Sequence, residues 1–99
     1  MTRRAARVDD NQPDVVEGLR AAGCRVHVTS MLGQGFPDLL VGAPWGQLFL
    51  VEVKDPAQPA NKQRLTVDEA EWHRHWHRYP VLVATSAGQA LQLMCLRRR

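Results

Sequence analysis

Three features of the sequence predict an α/β fold with a mixed central sheet flanked by helices. Two apolar runs, residues 35–42 and 48–54, are separated by Ala43-Pro44-Trp45-Gly46 and read as a strand hairpin. Two later stretches carry helix-start signatures, Thr66 with Glu69 and Ser86 with Gln89. Between them lies a continuous apolar run at residues 80–85, which reads as a further strand. With a helix and a strand ahead of the hairpin, the order is αβββαβα.

The first nine residues hold Arg3, Arg4 and Arg7 and little to bury, so a mobile basic arm is expected there. Asn11-Gln12-Pro13 then opens a helix, with Asn11 or Gln12 as cap and Pro13 in the first turn. Val15, Val16, Leu19 and Ala22 form its apolar stripe and Gly23 ends it. Glu17 flanks the stripe, and Gln12 is a further polar group at the same end. Residues 24–29 alternate, with Cys24, Val26 and Val28 on one side, as a half-buried strand does.

Residues 30–36 form a polar, glycine-rich loop leading into Asp38. There Gly33, Gln34 and Gly35 would let the backbone approach a phosphate, or simply make a connecting turn. In the hairpin, Asp38 opens the first strand. Glu52 and Lys54 close the second, on one face with Leu48 and Leu50. Residues 55–64 contain Pro56 and Pro59 and read as an exposed loop bearing Lys62 and Arg64.

In the following helix Thr66 and Glu69 make a capping box, and Leu65 with Ala70 a hydrophobic staple. Trp72 and Trp76, one turn apart, are expected to pack on the sheet. His73 and His77 share a face with Glu69; two histidines so spaced can chelate zinc, but a solvent-facing polar stripe is the plainer reading. The strand at 80–85 is expected to be covered on both faces. The last helix starts at Ser86, buries Ala90, Leu91 and Met94, and ends in a basic tail, residues 97–99.

A chain of 99 residues makes one domain, placed at residues 10–96. No apolar run approaches the ~20 residues of a membrane helix. The basic N-terminus lacks the apolar segment of a secretory signal. Cys24 and Cys95 form no disulfide framework or metal motif, so both read as small core residues in a reducing cytoplasm. The net charge of +3 and pI near 9.4 admit a nucleic-acid partner without demanding one. No internal repeat and no known base-reading module is present.

Glu52 and Lys54 at a strand end are costly among apolar neighbours unless paired or binding something. With Asp38 on the adjoining strand, two acids and a lysine converge as in a divalent-metal site with a cation beside it. Pro37-Asp38 followed by Glu52-Val53-Lys54, on two successive strands, resembles the PD-(D/E)XK nuclease superfamily. The likeness extends over residues 10–96, and within the superfamily it is greatest to small phage and archaeal Holliday-junction resolvases and to VRR-NUC domains.

The resemblance implies a restriction-endonuclease-like core and a Mg2+-dependent DNA endonuclease, with Mn2+ able to substitute. It places Asp38, Glu52 and the Val53 carbonyl on the metal, Lys54 beside the attacked phosphate, and Glu17 leaning toward the ion. The position of Glu69 is commonly glutamine in these families; here capping accounts for the glutamate. Lys62, Arg64, Gly35, Arg3, Arg4 and Arg97 are candidate DNA contacts. Trp45 at the hairpin turn reads as a dimer contact, a base-stacking group or a half-buried loop aromatic. The expected activity is structure-selective cleavage of branched DNA by a homodimer, with no small-molecule cofactor, in the cytoplasm of a bacterial host if phage-encoded. The alternatives are a non-specific or flap- and nick-directed VRR-NUC-type nuclease, or a non-cleaving DNA-binding module with the same fold.

Overall fold

The computed structural model describes residues 9–99, so Arg3 and Arg4 of the expected arm lie outside the described residues. The elements are α1 (Gln12–Ala21), β1 (Arg25–Val28), β2 (Leu39–Gly42), β3 (Leu48–Val53), α2 (Ala60–Gln63), α3 (Val67–Trp76), β4 (Val81–Ala84) and α4 (Ala87–Leu96). This is the order read from the sequence, with two short additions, a 3-10 turn at Ser30–Leu32 and the helix α2 in the loop after Lys54. The four strands form one mixed sheet in the order β1-β2-β3-β4. The first three are antiparallel and β4 runs parallel to β3.

Alternation decides which residues face the helices. Leu39 pairs with Val51, and Val51 with Leu82, so these lie on one face with Val41, Phe49, Val53 and Ala84. Val15, Val16 and Leu19 of α1 and Ala90 and Met94 of α4 close over that face as one core. The two helices approach closely: a Cβ built at Gly18 would stand 2.5 Å from the Ala87 Cβ. The hairpin turn closes through Gly46 N–H donating to the Ala43 carbonyl at 2.9 Å. Gly46 takes φ of 92° there, a conformation costly for any side chain.

The opposite face of the sheet is not fully covered. Leu40, Leu48 and Val83 remain 36%, 62% and 39% exposed. This corrects the expectation for β4, which is buried at Leu82 and Ala84 only. α3 has no fully buried residue; Trp72 is half-buried, stacks on Trp76 and meets Phe36 edge-on. Two smaller expectations fail for the same reason, position at a helix end. Ala22 is the exposed C-cap of α1, and Cys95, in the last turn of α4, is exposed while Cys24 is buried.

Candidate active site

The end of the hairpin is assembled by backbone bonds that fix the peptide before β2. Thr29 N–H donates to the Asp38 carbonyl and the Thr29 hydroxyl to that of Pro37, both at 2.7 Å. Asp38 then reaches across to β3, where its Oδ2 accepts from Val53 N–H at 2.8 Å. Period-two alternation sends Glu52 and Lys54 to the open face, away from Val51 and Val53. Glu52 is 3% and Lys54 6% exposed. Lys54 Nζ lies 3.8 Å from Glu52 Oε2 and 2.7 Å from Glu69 Oε1.

Glu69 joins the site through its place in the helix cap. Thr66 Oγ1 accepts from Glu69 N–H, and Glu69 Oε1 accepts from both Thr66 N–H and Lys54 Nζ. Capping therefore explains half of this residue; the other half is the lysine. Asn11 is the N-cap residue of α1, but its side chain makes no capping bond to the helix. Its amide donates to the Lys54 and Thr85 carbonyls, each at 3.0 Å, and so binds the helix start to the ends of β3 and β4.

The electrostatics follow from crowding acids around one ammonium. Burial, then the Asp38 charge and hydrogen bonding to Glu69, hold the Glu52 carboxyl protonated up to about 10. Burial also raises Asp38, against the Val53 N–H that favours its anion. Burial opposes the Lys54 ammonium, yet Glu69 and Glu52 outweigh it and raise its pKa. Burial likewise opposes ionised Glu69, but Glu52 and Lys54 draw its pKa down. Asp9, assigned to the mobile arm from sequence, belongs to this cluster. Its carbonyl accepts from Gln12 N–H, and burial raises its carboxyl while Lys54 opposes.

Three buried oxygens here have no hydrogen-bond partner among the described residues: Asn11 Oδ1, Gln12 Oε1 and Glu52 Oε1. Glu52 and Asp38 offer hard oxygen donors, and Glu52 Oε1 is free to accept a cation. No group of three His, Cys, Asp or Glu side chains among the described residues is arranged to hold a metal. Magnesium needs no such group, since it keeps several waters and is often held by one or two carboxylates. The residues present fit that ion and do not support the zinc reading of the α3 histidines. His73 instead turns toward the site, where burial first and then Lys54 lower its pKa against Glu69.

The remaining candidates divide by position. Glu17 is exposed, in a groove with Gln12, Arg20 and Val28 between α1 and β1, whereas the charge of Asp9 acts on Asp38. Gly35 takes φ of 79°, and a Cβ there would fall 2.2 Å from the Asp68 carbonyl oxygen, so its missing side chain admits α3. Lys62 and Arg64 are exposed on and after α2, outside the ion pairs of the described residues. Arg97 is held at the other end of β3, its carbonyl accepting from Gln47 Nε2 at 3.0 Å. Trp45 is half-buried against Phe49, with Arg98 4.8 Å above its ring.

Sequence reasoning missed Asp9 and half of Glu69. Asp9 gave no signal, whereas a lysine facing a helix cap could have pointed to Glu69. No protein-family model matches the chain, and no curated protein does. Among solved structures the chain is similar to one described as a VRR_NUC domain. The identity is 30%, the TM-score 0.61, and the match covers 84% of this chain and 88% of that one.

Proposed function

The chain belongs to the VRR-NUC domain family of PD-(D/E)XK nucleases, and from that premise we propose that it is a Mg2+-dependent endonuclease cutting DNA phosphodiester bonds. The observation that carries the reading is the convergence of Asp38, Glu52 and Lys54 at one end of the hairpin. A divalent ion held by Asp38, Glu52 and the Val53 carbonyl would supply Lewis acidity and a more acidic water. The chain's own groups do the rest. Lys54 neutralises charge on the attacked phosphate, and Glu69 holds its ammonium in place. Water adds to phosphorus, the bond to the leaving oxygen breaks, and a proton passes to solvent.

The likeness to a VRR-NUC domain favours a flap- or nick-directed nuclease over a four-way-junction resolvase. A second copy pairing through the open sheet face at Leu40, Leu48 and Val83 would bring two sites to one branched substrate. The test is a cleavage panel of flap, nicked, four-way, single-stranded and linear DNA. Cutting in Mg2+ or Mn2+, abolished by EDTA and by Glu52→Ala, is expected; cutting that survives both would refute the reading. Sedimentation of wild type against Leu48→Asp tests the pairing.

A further inference from the structure

A cavity of about 340 Å³ opens between α3 and the loop that leads to Asp38. It is lined by Gln34, Asp68, Glu71, Trp72, His75 and Trp76. Its size is at the lower end for small-ligand sites. The two indoles stack at 5.1 Å and 8° and belong to a row of rings running from Phe36 to Tyr79. Core packing does not account for this row, because α3 buries no residue and Trp76 and Tyr79 are 42% and 56% exposed.

Gln34 gives a second, independent sign. Its φ is 56°, the left-handed region, between Gly33 at 70° and Gly35 at 79°. A glycine would take this conformation without strain, and strained non-glycine residues gather at functional sites. Gln34 lies at the cavity wall.

The chemistry of the wall selects the guest. Flat apolar rings receive a flat apolar face. The carboxylates of Asp68 and Glu71 accept from edge N–H groups, and the Gln34 amide both donates and accepts. Glu71 is held in place by Arg74 and His75, at 2.6 and 3.2 Å. Carboxylates repel a phosphate, so a base and not the backbone suits the cavity. Asp68 and Trp72 neighbour Glu69 on α3, and Glu69 meets Lys54, so a base held here lies beside the site.

We propose that this cavity receives an unpaired nucleobase next to the cut, so that the enzyme selects DNA with unpaired nucleotides over continuous duplex. The proposal rests on the nuclease reading and adds the substrate class. The experiment places 2-aminopurine at the first unpaired position of a flap and follows its fluorescence on binding in EDTA, where no strand is cut. Quenching by wild type is expected, with affinity falling about tenfold in Trp76→Ala. Gln34→Gly should melt higher, its backbone relieved, and still bind more weakly, which a purely structural residue would not do. Both variants should cut nicked duplex within about twofold of wild type.

Absence of quenching, or its persistence in both variants, overturns the proposal. So does a change of association state in Trp76→Ala while Gln34→Gly keeps full affinity, since a second copy would then own the surface. Quenching in EDTA without cleavage of any substrate in Mg2+ would remove the nuclease reading and keep the pocket. Cleavage with neither quenching nor preference for the flap would do the reverse.

Discussion

Glu52 carries a large electrostatic cost, and pH exposes it. The carboxyl ordinarily loses its proton near 4.5 but is held protonated up to about 10 in the fold. Between those values the folded chain binds more protons than the unfolded one, so stability falls as pH rises. The contribution is complete below 4.5 and gone above about 10. Asp38, also raised by burial, acts in the same direction. Glu69, lowered by its partners, acts oppositely and only toward acid. In EDTA, the melting temperature of wild type is therefore expected to drop from pH 5 to pH 9. Glu52→Gln removes the proton uptake that folding demands above pH 4.5 and should gain about 1–3 kcal/mol at pH 9, with no cleavage activity. Magnesium at pH 9 should raise the melting temperature of wild type and not of the variant. A wild-type melt that rises with pH, or matches the variant throughout, would contradict this account.

At the scale of elements, α3 is the piece whose position decides whether the site is complete. With nothing buried, it is held by the Lys54–Glu69 pair, by Phe36 against Trp72, and by the gap at Gly35. Gly35→Ala adds a methyl 2.2 Å from the Asp68 carbonyl oxygen in a left-handed conformation. The expected result is a loss of about 1–3 kcal/mol and a fall in activity beyond that explained by unfolding, as α3 withdraws Glu69 from Lys54. Tryptophan emission from Trp72 and Trp76 should shift with it; unchanged emission and activity would detach α3 from the site. This element also marks how far sequence could be read. The capping box and the strand alternation are local signals, and they placed α3, β2 and β3 correctly, with Asp38, Glu52 and Lys54 near one another. The spacing put Trp72 and Trp76 on one face, but that they stack on each other and meet Phe36 is a tertiary matter, which spacing alone does not encode. Asn11 entered the site through a hydrogen bond to the Lys54 carbonyl over forty positions away, and Asp9 through the charge of Lys54, which no local pattern encodes.

For the molecule as a whole, the candidate DNA-binding cations among the described residues divide between two ends of the sheet. Lys62 and Arg64 follow β3 on the side of the site. The tail is bound at the hairpin turn, where Gln47 holds the Arg97 carbonyl and accepts from Arg99 N–H, and Arg98 covers Trp45. Leu48 to Val53, at about 3.3 Å per residue, separates the ends by roughly 15–20 Å. DNA rising about 3.4 Å per base pair must therefore run some five or six pairs beyond the cut before the tail can touch it. Removing residues 97–99 should leave affinity unchanged on a substrate with arms of about four base pairs. On arms of about twenty it should weaken binding and reduce the log-salt slope by roughly 0.9 for each phosphate that the tail no longer neutralises. Weakening that is equal on short and long arms would mean that the tail acts by bracing the Gln47 turn, since bracing does not depend on how far the DNA extends.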